Sequence, residues 1–321
     1  MWPGRPSPLA CDGRRTVKAA PWLAPAAAAG LAAGLAVTGC GLPSPAHPAR
    51  TPVSSAPAAS ATAPAPAALA AAAAPPAHTV VVMMENHSYG EVIGDPSAPF
   101  LNRLAARGAL FTNSHAIGHP SEPNYLALLS GSTHGVIDDS CPLRFTGPNL
   151  AAELIAAGHT FAGYAEGLPG TGSGVCGAGE YARKHVPWVN FTTVPASLSR
   201  PFSAFPAGDY ARLPTVSFVI PNLCHDMHDC PVAAGDAWAR AHIGPYASWA
   251  MTHHSLLIVD WDENDGSPGN QIPTIFAGQM VQPGRYGRAI THYGVLRTIE
   301  NLYRLPPLGQ ARTAHPITVW K

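Results

Sequence analysis

The chain has 321 residues, of which 46% are hydrophobic and only 12% charged, and its formal net charge is +0. An average soluble domain carries roughly 25% charged residues, and the even balance of signs excludes a strongly basic nucleic-acid binder as the default reading. Six cysteines are too few for a cysteine-dense scaffold of this length.

The first 77 residues are dominated by Ala and Pro. Arg14, Arg15 and Lys18 precede a small-residue apolar stretch from Ala19 to Thr38. A positive segment followed by an apolar one is the layout of a secretory signal, and Arg14-Arg15 hints at the twin-arginine type. Pro21 and Pro25 make the stretch a poor permanent membrane anchor. It ends in Val37-Thr38-Gly39-Cys40, which resembles a bacterial lipobox. That resemblance implies cleavage before Cys40 and a membrane tether through its lipidated sulfur. Residues 40–77 form a Pro/Ala/Ser tract without large apolar side chains, so it cannot bury enough surface to offset ordering entropy and is expected to be a disordered linker. The expected organisation is a lipoprotein-type signal over 1–39, the linker over 40–77, and one catalytic domain over 78–321. The expected location is exported, as a cell-envelope lipoprotein or a secreted protein.

Export bears on the cysteines. Cys141, Cys176, Cys224 and Cys230 fall in the domain, and four cysteines in an oxidising compartment point to two disulfides. The short spacing favours Cys224–Cys230, leaving Cys141–Cys176. Zinc binding within Cys224-His225-Asp226-Met227-His228-Asp229-Cys230 is the rival reading.

From residue 78 the pattern changes. His78–Met84 is a β-branched run with no polar alternation, as in a strand covered on both faces. Similar runs occur at Phe161–Ala165, Thr215–Ile220, Ser255–Val259 and Ile272–Ala277. Helical spacing appears over Phe100–Arg107 and Leu150–Ala157, with Gly108 and Gly158 placed as C-terminal caps. Ala237–Met251, interrupted by Gly244-Pro245, and Tyr293–Tyr303 are further helices. Alternating strands and helices predict a three-layer αβα sandwich with a mostly parallel central sheet.

Ligands of such sheets bind beyond the carboxyl ends of the strands. The first strand runs into Glu85-Asn86-His87-Ser88-Tyr89. The Ser255–Val259 strand runs into Asp260-Trp261-Asp262-Glu263-Asn264-Asp265-Gly266, and Thr215–Ile220 runs toward His225 and His228. Carboxylates this dense repel one another unless a cation neutralises them, so an oxygen-rich metal site is the natural inference. Taken alone, Asp262–Gly266 also reads as an ordinary turn. Ser121, in His119-Pro120-Ser121-Glu122-Pro123, opens a short helical pattern that ends near Gly131. It reads either as a capping serine or as a nucleophile at a phosphate-binding helix start.

Four segments stand in the order seen in the bacterial phosphoesterase family of metal-dependent acid phosphatases and phospholipases C. They are Glu85-Asn86-His87-Ser88-Tyr89, the His119–Tyr125 run, Pro221-Asn222 through Cys230, and Trp261–Gly266. The family looks like a branch of the alkaline-phosphatase superfamily, and His292–Glu300 looks like its C-terminal helix. The run from Ser121 to Ile137 also resembles the nucleophile segment of nucleotide pyrophosphatase/phosphodiesterases. The resemblance implies metal ligation by Glu85, Asn86, Ser121, Asp262 and Glu263, and Ser121 as nucleophile. It implies a phosphoryl-directed role for His228. His119 either assists Ser121 or serves as a capping or supporting histidine. Asp138 or Asp139 falls where the phosphodiesterases place a phosphate-binding Asn. No His follows Asn270, so one divalent metal ion is expected rather than two. The implied reaction is hydrolysis of a small-molecule phosphoester through a phosphoserine, acid-phosphatase-like. The alternatives are a phospholipase C-type diesterase and a non-catalytic envelope protein that binds a cation or phosphorylated glycan.

Overall fold

The computed structural model describes residues 74–321. The expected signal, Cys40 and nearly all of the linker lie outside the described residues. In chain order the elements are β1 (Thr79–Met84), α1 (Tyr89–Val92), α2 (Pro99–Arg107), β2 (Ala109–His115), α3 (Ser121–Ser130), α4 (Leu150–Ala156) and β3 (Phe161–Ala165). Short strands β4 (Gly177–Ala178), β5 (Tyr181–Ala182) and β6 (Ser199–Pro201) follow among 3-10 turns. Then come β7 (Val216–Ile220), α5 (Val232–His242), α6 (Gly244–Ala250), β8 (Leu256–Trp261), β9 (Gln271–Gly278), β10 (Gly284–Tyr286), β11 (Ile290–Thr291) and α7 (His292–Leu302).

The main sheet runs β10-β2-β9-β8-β1-β7-β3-β6, with β11 added on β2. Strands β8, β1, β7, β3 and β6 are parallel, while β9 runs against both β8 and β2. Val81 and Met83 of β1 enter one core with residues of α3, α4 and α7. Val80, Val82 and Met84 enter another with residues of α2, α5 and α6. Both faces of the strand are therefore covered, which is why its sequence shows no polar alternation. The expected three-layer αβα sandwich is present.

Local chemistry sets the elements. Helix α2 has only Ala98 at its N-cap. Asp236 of α5 supplies the missing acceptor, taking N–H bonds from Leu101 at 2.8 Å and Phe100 at 3.1 Å. Such a cap is worth about 1 kcal/mol and also ties α5 to α2. Gly158 follows α4 at φ +81, as a left-handed cap requires. Gly108 does not: its φ is −116. Its lack of a side chain instead lets the chain approach β9, where a Cβ would overlap the Phe276 carbonyl oxygen. The helix expected from Ala237 begins earlier, at Val232 after Pro231, and the chain restarts as α6 at Gly244-Pro245. The expected disulfides Cys141–Cys176 and Cys224–Cys230 are both formed. The second rules out thiolate zinc ligation there. Among the described residues no helix is long and apolar enough to cross a membrane.

Candidate active site

The carboxyl ends of β1 and β8 lie side by side, Met84 pairing with Trp261. The next residues in each strand direction are Glu85 and Asp262, so register alone places two carboxylates together. The Asp262 N–H donates to the Met84 carbonyl at 3.0 Å, and the Asn86 N–H donates to Asp262 Oδ1 at 3.3 Å. Asn86 sits at φ +48, a left-handed position that Asn tolerates better than most residues. The loop after β7 joins from the other side, where the Asp226 carbonyl accepts the Glu85 N–H at 2.8 Å.

Ser121 is the first residue of α3, and its Oγ donates toward Glu85 Oε2 at 3.2 Å and Glu263 Oε1 at 3.3 Å. The Asn86 side-chain amide lies 3.2 Å from the same two carboxylate oxygens. His119 Nδ1 pairs with Glu263 Oε2 at 2.6 Å. The structure thus brings together Glu85, Asn86, Ser121, Asp262, Glu263 and His119, the outermost of which are separated by more than half the chain.

The donor set fits a hard cation. Oxygens at right angles around Mg²⁺ or Ca²⁺ lie about 3–3.5 Å apart, which matches the spacing of Glu85, Ser121, Asn86 and Glu263 oxygens. Asp262 Oδ2 is buried without a hydrogen-bond partner among the described residues. Burial raises the Glu85 carboxyl well above its ordinary range, and the Asp262 and Asp226 charges add to the rise. Asp262 is raised likewise by burial and by Glu263. A divalent ion would reverse these shifts by favouring the charged forms.

A ring of supporting residues surrounds this cluster. The Tyr125 hydroxyl donates to Glu85 Oε1. His185 Nε2 lies 3.2 Å from the same oxygen, and its Nδ1 lies 3.4 Å from Asp226 Oδ2. His185 stacks on Tyr125 with centroids 5.1 Å apart. Burial holds His185 well below its usual pKa, so it is neutral, and burial pushes the Asp226 carboxyl up to about 8. His228 stands beside His185, ring centroids 5.8 Å apart, with its Nδ1 held by Asp229 at 2.6 Å. Glu85, His185 and His228 together offer three ligand atoms within 4.8 Å of one another.

Comparison with known proteins identifies the scaffold. Residues 95–306 match the phosphoesterase family. The chain belongs to that family. This phosphoesterase is 57% identical over 247 residues to a phosphatidylinositol-3-phosphatase of Mycobacterium tuberculosis, covering 76% of this chain and 83% of that one. It is 30% identical over 250 residues to an acid phosphatase of Aspergillus fumigatus, covering 71% of this chain but only 55% of the fungal protein. In fold it is similar to an alkaline phosphatase superfamily protein of Vibrio parahaemolyticus, with a TM-score of 0.53, 14% identity, and 76% and 72% of the two chains covered. This phosphoesterase is a hydrolase of phosphate esters.

The family match begins at Asp95, so Glu85 and Asn86 of this phosphoesterase lie ahead of the matched span. Their membership of the site rests on the β1–β8 register. Other sequence-level candidates fall elsewhere. His225 pairs with Glu166 at 2.9 Å and stacks near Trp238. Asp138 accepts the Ser140 N–H at 3.1 Å, whereas Asp139 reaches the site. Its Oδ1 accepts the N–H of Glu122 at 3.0 Å, and its Oδ2 binds Lys184 Nζ at 2.9 Å. Tyr125, Lys184, His185 and Asp226 join the site without a signal of their own in the sequence. Tyr125 and Asp226 lie inside the family-like segments, one turn from Ser121 and two residues from His228. Lys184 and His185 carry no pattern at all, lying in a 3-10 turn between short strands.

Proposed function

We propose that this phosphoesterase is a metal-dependent phosphomonoesterase that passes the phosphoryl group through Ser121. The observation that carries this reading is the placement of Ser121 Oγ at a helix start, within 3.3 Å of oxygens from both Glu85 and Glu263. The N-cap of α3 is Pro120, so Ser121 stands one position inside the helix, and its Oγ bonds go to the two carboxylates. Glu85, Asn86, Ser121, Asp262 and Glu263 would hold one divalent ion, which supplies charge neutralisation and favours the ionised serine when bound.

The protein's own residues do the rest. Glu263 Oε1 receives the Ser121 proton, and His119 on Oε2 stabilises the resulting carboxyl. Ser121 Oγ forms a bond to phosphorus as the bond to the leaving oxygen breaks on the opposite side. His228, oriented by Asp229, gives a proton to that leaving oxygen. A water molecule then attacks phosphorus and releases phosphate, and the proton returns to Ser121 Oγ. Ser121→Ala is expected to abolish turnover of p-nitrophenyl phosphate while keeping the melting temperature. Near-wild-type activity in that variant would remove the nucleophile. EDTA treatment is expected to inactivate, with recovery on adding back divalent ions one at a time.

The similarity to the mycobacterial phosphatidylinositol-3-phosphatase supports a phosphate monoester on an inositol lipid as substrate. Phosphate release from phosphatidylinositol 3-phosphate in mixed micelles, set beside p-nitrophenyl phosphate, tests it. Preferential cleavage of p-nitrophenylphosphorylcholine would instead favour a phospholipase C-type diesterase. The two disulfides suit an oxidising compartment. Export, with lipid attachment at Cys40, completes the proposal; globomycin sensitivity of processing tests it.

A further inference from the structure

The carboxylates at the site create an electrostatic difficulty. A phosphate monoester arrives as a dianion, and Glu85, Asp262 and Glu263, once a bound ion holds them in the charged form, are all of its own sign. A single metal ion already has the carboxylates to neutralise. The chain has three lysines, and Lys184 is the only one between residues 19 and 320. It stands directly before His185, which contacts Glu85.

Three observations distinguish Lys184 from a solvated surface lysine. Its side chain is only 21% exposed. Its ammonium has Asp139 as its one hydrogen-bond partner among the described residues, which leaves two of three donors free. Burial alone would lower its pKa, but the hydrogen bond and charge of Asp139, together with Glu85 and Asp262, hold it raised, so it is firmly cationic. The neighbouring Arg183 differs. Its guanidinium spends its donors on Gly174, Leu143 and Asn190, and serves the scaffold.

Asp139 fixes where the ammonium sits. One carboxylate oxygen takes the N–H of Glu122, the residue after Ser121, and the other takes Lys184 Nζ. A single carboxylate therefore bridges the lysine to the first turn of α3. Cys141, two residues beyond Asp139, is joined to Cys176, whose carbonyl accepts the Arg183 N–H at 3.0 Å. The covalent bridge thus holds the loop of Asp139 against the segment of Lys184.

We propose that the Lys184 ammonium binds a non-bridging phosphoryl oxygen of the ester at Ser121, and that Asp139 is the positioning residue that aims it. The inference rests on Ser121 as the phosphoryl acceptor, and it adds a preference: Lys184 favours the dianionic monoester over a monoanionic diester.

The test compares kcat/KM for p-nitrophenyl phosphate and for bis(p-nitrophenyl) phosphate in full-chain Lys184→Met, Lys184→Arg and Asp139→Asn, with the divalent ion saturating. A charged hydrogen bond to a phosphoryl oxygen is worth about 10- to 100-fold. Lys184→Met is expected to lose that factor on the monoester and less than about threefold on the diester. Lys184→Arg should fall between it and the wild type. Asp139→Asn should shift the monoester-to-diester ratio in the same direction by less, and it carries the test if Lys184→Met does not fold. Equal losses on both substrates, or an unchanged ratio in the folded variants, would overturn the proposal. Ser121→Ala assayed alongside fails separately: residual activity there would remove the nucleophile and leave the Lys184 ratio still readable.

Discussion

Glu85 Oε1 faces Nε2 of His185 at 3.2 Å, and the two side chains are almost wholly buried. Asp226, whose carboxyl is raised to about 8 by burial, keeps its proton near neutrality and lies 3.4 Å from the other ring nitrogen. Neutral His185 thus fills the space behind Glu85, with its Nε2 and Asp226 Oδ2 making no hydrogen bond among the described residues. The Tyr125 hydroxyl donates to Glu85 Oε1, and Oε2 faces Ser121 and Asn86. Outer residues of this kind set the orientation of a metal ligand. His185→Gln and Tyr125→Phe are each expected to weaken metal affinity by about 10- to 100-fold. Activity titrated against metal after EDTA treatment should show the loss, and an unchanged midpoint in both variants would refute this role.

The acid cluster also sets how stability depends on pH. An unfolded Asp releases its proton near pH 3.9, whereas folded Asp226 holds its proton to about 8. Between these values the folded protein binds the extra proton, so without metal, stability should fall as pH rises. The slope is up to about 1.4 kcal/mol per pH unit for each such group. Glu85 and Asp262 act in the same sense. Bound metal favours the charged forms and should flatten the slope. Melting temperatures from pH 5 to 8, with EDTA and with divalent ion, check this; a melting point that rises with pH in EDTA would contradict it.

Two glycines are tied to packing. A Cβ at Gly163 of β3 would run into the Trp188 ring, and one at Gly108 into the Phe276 carbonyl. Neither glycine contacts the candidate site. Gly163→Ala is expected to cost about 2–4 kcal/mol in urea unfolding while sparing kcat in the folded fraction. A loss below about 0.5 kcal/mol would show that Trp188 moves aside freely.

The bridges should be unequal. Cys141–Cys176 closes 35 residues and Cys224–Cys230 only 6. Chain-entropy reasoning gives about 3–4 kcal/mol for the longer loop and about 2 for the shorter. Paired serine replacement followed by denaturant unfolding should preserve that order. Equal costs would point to native-state packing as the source.

The buried strands were legible because a run such as Thr79–Met84 has few other uses in a soluble domain. The metal-binding candidates were legible because strand ends and acidic residues coincide at Glu85 and Asp262. Strand β2 was not foreseen. Its sequence Ala-Leu-Phe-Thr-Asn-Ser-His is apolar for three residues and then polar, and its pairing with β9 shifts register between Phe111 and Ser114. His185 and Lys184 were obscure for a different reason, as was the contact of Lys184 with Asp139. They meet through a disulfide and a run of short turns, where no periodic signal exists to place one residue against another.

The reversed strand β9 has one more effect. Because it turns straight back from β8, Asn270 lands beside the approach to Ser121. It donates to the Gly118 carbonyl at 3.0 Å, accepts the Asn264 N–H at 2.8 Å, and its own carbonyl accepts the Ala116 N–H at 3.0 Å. The segment leading to residue 121 and the acidic loop after β8 are thereby buckled together by one side chain and its backbone. A change at Asn270 would therefore loosen both segments at once, although among the described residues its side chain bonds to neither Ser121 nor the carboxylates.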